Sequence, residues 1–381
     1  MLHTTSRANV ARLRCLALAA LALASGAASA QSVTLYGLID TGIEYVSHAN
    51  ANGNGLVRIP AVTGTLPSRW GLRGTEDLGN GIKAVFMLES GFNTNTGTSG
   101  QGGRLFGRQA WVGLASDYGT VTLGRQYSMV FLSLADADVL GPSQYAIGSL
   151  DAYIPNARTD NTVAYKGTFG GLTVGATYSF GRDAAGGVPA SGTCAGQQAG
   201  SASSCRTVSA MVKYDAATFG MAGAFEEQRG GTGATAFFFN GSAPIPFADA
   251  GDKDRRIVAN GYVKLGGAKL GVGWIRRDVV VPTGDVRSNL YFVNGSTPLT
   301  GALTLDAGLF RIINADQSRS ATMAVLRGVY ALSKRTALYA QTGYLWNSAN
   351  AQYSVSGGGG GTTPGKGMNQ LGAMVGMRTA F

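Results

Sequence analysis

Three arginines, Arg69, Arg108 and Arg158, are the side chains of this 381-residue sequence best placed to act together. Each sits in a segment where apolar and polar residues alternate, and side chains of an extended chain alternate between two faces. In Ser68–Leu78, Trp70 and Leu72 on one face leave Arg69 and Arg73 on the other. In Arg104–Leu114, Trp111 on the apolar face leaves Arg108 opposite. In Arg158–Lys166, Val163 and Tyr165 leave Arg158, Asp160 and Lys166 opposite. Guanidinium groups gathered around a narrow aqueous space create a positive potential that draws anions and resists cations. Arg73, Lys166 and Tyr36 are secondary members of the same polar face.

Acids to face them are expected in 129–157, where Asp136 and Asp138 stand among Val130, Phe131, Leu132, Leu134 and Leu140. A solvent-exposed connection has little reason to be that apolar, whereas one packed against an inner wall does. Asp136 and Asp138 are therefore the expected acidic side of a transverse field. Arg125 breaks the pattern, because Val121 and Leu123 put it on the apolar face.

The elements that position these residues read as strands throughout. In Val33–Val46, one face carries Val33, Leu35, Ile39, Ile43 and Tyr45, and the other carries Tyr36, Asp40 and Glu44. Ile82, Ala84, Phe86 and Leu88 alternate with Lys83 and Glu89. The segments are close to the roughly 10 residues that a tilted strand needs to cross a bilayer. Gly79-Asn80-Gly81, Asp117-Tyr118-Gly119, Phe169-Gly170-Gly171, Gly266-Gly267 and Lys334-Arg335 have the composition of tight turns. Between them come long polar connections near 47–66, 93–103, 129–157, 182–206, 230–254 and 349–367. Short and long links alternating along antiparallel strands predict an all-β, transmembrane antiparallel β-barrel of about 16 strands. The stretch Val279–Thr304 does not parse cleanly. Tyr45, Trp111, Tyr178, Trp274 and Trp346 are candidates for interfacial girdles.

Both ends fit this reading. Arg7, Arg12 and Arg14, the apolar run Leu16–Leu23 and Ala28-Ser29-Ala30 predict a signal peptide over residues 1–30. The barrel domain is then 31–381, with 129–157 as an inward-folded constriction loop. Leu371, Ala373, Val375, Met377, Thr379 and Phe381 form a mostly apolar row, as in a closing strand with both edges paired.

The leader holds three arginines and no acid, so the net charge falls from +10 to +7 without it. The basic residues are scattered between strands rather than clustered, which argues against nucleic acid and for anions within a cavity. Cys194 and Cys205, close together in a Gly/Ser/Ala-rich segment, are expected to form a loop disulfide. Beyond the leader His48 is the sole histidine, so neither a metal site nor a cofactor is expected.

VTLYGLIDTG at 33–42, SRWGLRGTEDLGNGIKA at 68–84, LESGFN at 88–93, GRLFGRQAWVGL at 103–114 and GTVTLGRQY at 119–127 resemble the general-diffusion porins of Gram-negative outer membranes, most closely the β-proteobacterial type. The resemblance is dense in the first third and holds only in pattern over about Phe180–Asp254. It implies a homotrimer of 16-stranded barrels in the outer membrane, among its lipid and lipopolysaccharide. Each barrel would be narrowed by an infolded third loop and pass ions and small hydrophilic solutes by passive diffusion. It also makes Phe381 part of the signal read by the barrel-insertion machinery. Against the family pattern, the usual acidic cluster is reduced, which favours anions; Leu38 is a further departure, standing where enteric relatives can carry a lysine facing inward.

Rival readings are weaker. Barrel enzymes need a catalytic histidine with Ser or Asp partners, and an adhesive barrel would carry no conductance. A substrate-specific porin would show a ladder of basic residues or an aromatic track, where the sequence displays a single ring.

Overall fold

The computed structural model describes residues 32–61, 64–153, 157–182, 194, 199–231, 233–357 and 360–381. The expected signal peptide lies outside them. Sixteen antiparallel strands close into one barrel. They are β1 (Ser32–Val46), β2 (Arg69–Gly79), β3 (Ile82–Gly91), β4 (Gln109–Ser116), β5 (Gly119–Tyr127) and β6 (Arg158–Phe169). Next come β7 (Leu172–Ser179), β8 (Thr207–Asp215), β9 (Phe219–Arg229), β10 (Lys253–Leu265) and β11 (Ala268–Val280). The set ends with β12 (Val286–Pro298), β13 (Leu303–Asn314), β14 (Arg319–Ala331), β15 (Thr336–Asn347) and β16 (Gln370–Ala380).

Each strand pairs with its sequence neighbour, and β1 closes the ring by serving two partners. Its first half, Ser32–Leu38, pairs with β2, and its second half, Leu38–Val46, pairs with β16. The backbone N–H and C=O of Phe381 both bond Gly37, at 3.0 Å each, and the phenyl ring lies over that glycine, where a Cβ would overlap it. Each of the sixteen strands thus has a neighbour on both sides, as a lipid environment demands. Among the described residues no helix is long and apolar enough to cross a membrane; the strands do the crossing.

The opaque stretch resolves simply. β11 ends at Val280, five residues turn the chain, and β12 runs from Val286 to Pro298. Positive φ at Asn80, Gly79 and Gly81 forms the first tight turn, a geometry that glycine and asparagine reach at low cost.

The outer wall is apolar. Val33, Leu35, Ile43, Val112, Leu114, Leu123, Val212, Val272 and Val375 are exposed on it. Tyr45, Tyr178 and Trp346 also face outward. Trp111 does not: Val112 and Leu114 take the outer face of β4, and Trp111 pairs across with Met87, which accepts a bond from inward Tyr36. The girdle assignment for Trp111 is therefore corrected.

The connection from β5 to β6 folds into the barrel. It starts with helix α1 (Met129–Leu134), capped by the Ser128 hydroxyl, which accepts from the Phe131 N–H. It passes Gly271 of β11 at Ala137 and Gly308 of β13 at Leu140, where only glycine leaves room for the chain. Gly343 and Gly372 then admit the ring of Tyr145. Met129, Leu134, Leu140, Tyr145, Ile147 and Leu150 are buried against Met211, Val258, Ile275, Phe292, Phe310 and Met323 of the inner wall. Full burial of one such side chain is worth about 1.5–3 kcal/mol. The returning limb is pinned by Asp151 to Arg256 (3.1 Å), itself beside Asp254, which Arg277 grips at 2.7 and 2.9 Å.

Candidate functional site

The upper ends of β2–β6, on the side of the long connections, together with Tyr36 in the first half of β1, bring the three arginines into one network. The Tyr36 hydroxyl donates to Glu89 Oε2 at 3.0 Å, and Arg69 Nε lies 3.5 Å from the same oxygen. Arg108 Nε donates to Glu89 Oε1 at 2.8 Å, and its Nη2 donates to the Tyr127 hydroxyl at 2.7 Å. Arg158 Nη2 reaches that hydroxyl at 2.8 Å, with its guanidinium 4.5 Å from the centre of the Tyr127 ring. One carboxylate and one neutral phenol serve three cations, so positive charge remains in excess. At 4 Å, an anion gains about 1 kcal/mol from one unit charge in bulk water and about 4 kcal/mol at an effective dielectric of 20. A confined aqueous lumen lies between these limits.

Arg69 follows from strand parity. Arg108 does not: β4 begins one residue later, and Gln109 shares the inner face with Trp111. Arg108 turns inward through a bend at its own position, its backbone N–H on the Glu89 carbonyl and its stem against Gly91. Arg158 also escapes simple alternation. The ladder shifts register between Gly124 and Gln126, and Asn161 adopts φ 51°. The same shift turns Asp160 to Arg125 (2.6 Å) and Arg104 (3.4 Å), so Asp160 is not with Arg158 as parity implied.

Packed against the cluster are Phe131 and Pro142 of the infolded connection, which with Pro67, Ser68, Arg108 and Arg158 line one cavity. Phe131 stacks on Tyr127 at 4.3 Å. Asp136 and Asp138 do not face the arginines. Asp136 pairs with Lys213 of β8, and Asp138 is buried and accepts from Asn294 of β12 at 3.1 Å. A connection has no alternation that fixes where its side chains point, and its acids turned to the wall behind it. The acid that meets the arginines is Glu89, which alternation had placed on the inner face but had not marked as a partner. Tyr127 was missed too; its place at the end of a strand, beside the register shift, gave no signal.

A family model described as Gram-negative porin matches residues 17–367. This chain belongs to the Gram-negative porin family. An outer membrane porin protein of Bordetella pertussis is 33% identical over 373 residues, covering 88% of this chain and 94% of that protein. Outer membrane porin protein 32 of Delftia acidovorans is 32% identical, covering 96% and 99%. A solved anion-selective porin from Comamonas acidovorans superposes with a TM-score of 0.71 at 26% identity, covering 92% of this chain and all of that one. The protein is thus an outer-membrane porin, a channel built as a 16-stranded barrel.

In this porin Arg73 is exposed on β2, its guanidinium 5.5 Å from the Tyr36 ring centre, and Lys166 is exposed on the inner face of β6. Among the described residues, no group of three His, Cys, Asp or Glu side chains is arranged to hold a metal. Inward Asp40 holds the base of the first long connection, accepting from the Leu66 N–H at 2.9 Å and the Tyr339 hydroxyl at 2.7 Å.

Cys194 and Cys205 are bonded, with Cα atoms 5.5 Å apart. Their sulfurs are buried beside Phe238 and Phe247 rather than lying open in an exposed loop. The mature porin should therefore take up no maleimide before reduction, even when unfolded in denaturant, and two labels per chain afterwards. Labelling of the unreduced, unfolded protein would show that the thiols are free. Because neither cysteine bonds a member of the arginine network, Cys-to-Ser substitution at both positions should leave conductance within about 10% of native, as expected when no lumen charge changes.

Proposed function

We propose that this porin passes ions and small hydrophilic solutes by passive diffusion with a preference for anions, and that it does so as a homotrimer without catalytic activity. The observation that carries the reading is the imbalance of three guanidinium groups against the single carboxylate of Glu89 at one station of the lumen. The side chains of the infolded connection packed at that station, Phe131 and Pro142, are apolar and add no negative charge there. The anion selectivity named for the Comamonas acidovorans porin is support from a relative. Family membership and the trimer form solved for a Vibrio cholerae outer membrane protein of the same fold support the trimer, and the apolar outer face around Ile43, Leu338, Val375 and Met377 is the kind of surface that lipid or a second copy would cover. Lipopolysaccharide and the barrel-insertion machinery are the further partners of this reading, the latter through Phe381. The test is the zero-current potential of the native channel in a potassium chloride gradient. Its sign should report chloride as the more permeant ion at low salt, and the preference should weaken as the Debye length shrinks from about 30 Å at 0.01 M to about 3 Å at 1 M. A potential of the opposite sign at low salt would refute the reading.

A further inference from the structure

At the other end of the lumen, beside the tight turn joining β10 to β11, Lys264 and Lys269 are direct cross-strand partners. Short turns of such barrels lie on the periplasmic side. Both lysines face the inside: Gly271, two residues along the same face from Lys269, has the Ala137 carbonyl of the constriction loop against it. Both converge on one ring, with Nζ atoms 4.2 Å (Lys269) and 5.7 Å (Lys264) from the centre of Tyr262.

Like charges directly opposite each other destabilise a ladder. Nearby Lys213 shows how the fold normally relieves such charge, since it is paired with both Asp136 and Asp215. The hydroxyl of Tyr262 is likewise spent on Asp215, at 2.9 Å. Among the described residues no carboxylate forms an ion pair with Lys264 or Lys269; the hydrogen bond found for Lys264 goes to the Ala217 carbonyl at 3.5 Å. Lys264 and Lys269 therefore stand side by side on the wall just beneath the loop, on the strands opposite the arginine network, without a direct ion pair; with Lys213 they outnumber the neighbouring Asp136 and Asp215, so the cluster keeps a net positive charge.

We infer that Lys264 and Lys269, braced on Tyr262, form a second anion site at the periplasmic mouth that takes compact multivalent oxyanions of the phosphate type. An ammonium acts on phosphate as a point charge and needs no fixed fork geometry, and two of them match a dianion better than a chloride. The site rests on the anion-preferring reading of the lumen and deepens it. Such a solute passes two basic stations in series, where the sequence displays one.

The experiment is single-channel recording in potassium chloride, with inorganic phosphate added to one side at a time. In the native channel, phosphate on the periplasmic-mouth side should reduce chloride current at lower concentration than phosphate on the other side. In K264Q/K269Q the half-blocking concentration on that side should rise about tenfold, as expected for losing two charges within a few ångströms of the ion. K264Q and K269Q alone should each fall between, and K264R/K269R should keep the block. The variant R69Q/R108Q/R158Q should lose the chloride preference yet keep the periplasmic-side block. Absence of block in the native channel, or equal block in native and K264Q/K269Q, overturns the site. A native channel that prefers cations but shows lysine-dependent block overturns the anion-preference reading alone.

Discussion

Replacing Arg69, Arg108 and Arg158 together with glutamine should shift the zero-current potential in a salt gradient towards cation preference, abolishing the chloride preference. The direction follows from what the substitution leaves behind. Glu89 stays on the inner wall, held by the Tyr36 hydroxyl at 3.0 Å, and no guanidinium of the network remains to offset it. The effect should be large at 0.01 M salt and small at 1 M, since the Debye length falls about tenfold between them. The barrel should still fold, because lumen positions face water and tune selectivity, whereas charge on the lipid face is what costs stability. Replacing Arg206 and Arg229 is the control. Arg206 lies over the rings of Tyr178 and Phe180, and Arg229 pairs with Glu227, away from the network. That variant should keep the native potential. If the triple variant also kept it, the network would not be the filter.

Deleting Phe381 should reduce the amount of assembled porin in the outer membrane of cells by about tenfold, a loss equivalent to about 1.4 kcal/mol if assembly were an equilibrium. Two contributions are lost. The closing seam loses both backbone bonds to Gly37, and the ring that covers Gly37 on the outer wall is gone. Refolding into detergent, where only the seam matters, should fall much less, because nine register pairs, from Leu38 with Ala380 to Val46 with Gly372, still join β1 to β16. Comparing the two yields separates a recognition role from a structural one. Equal loss in cells and in detergent would leave Phe381 with a structural role alone.

How much could be read from residues alone depended on whether a period existed to read. Where strands run uninterrupted, alternation placed Tyr36, Asp40, Arg69 and Glu89 correctly on the inner face, because a period of two admits only two answers. It failed at Trp111, where the rule that aromatic rings seek the interface competed with the pairing of Val112 and Leu114 and lost. It failed again at Asp160, because a register shift changes parity without leaving a mark in composition. Asp136 and Asp138 were beyond reach for a different reason. Their partners, Lys213 and Asn294, lie 77 and 156 residues away on strands that only the closed barrel brings alongside. The arginine network was nevertheless legible in its members, since a guanidinium on a long stem can reach the lumen from a bend as well as from a strand.

The constriction loop is usually thought of as an obstacle, yet here it also acts as upholstery. The wall behind it, along β8–β16, presents Met211, Val258, Ile275, Leu290, Phe292, Phe310, Met323 and Val325 inward, a surface that is dry only because the loop covers it. Shortening the loop would not simply widen the hole. It would expose to water a wall on which these hydrocarbon side chains are mixed with Lys213, Arg256 and Asn294, the partners of the loop's own Asp136, Asp151 and Asp138. Any enlarged version must therefore replace both things the loop supplies: polar side chains for the bared apolar wall, and counter-charges for the Lys213 and Arg256 that Asp136 and Asp151 now neutralise.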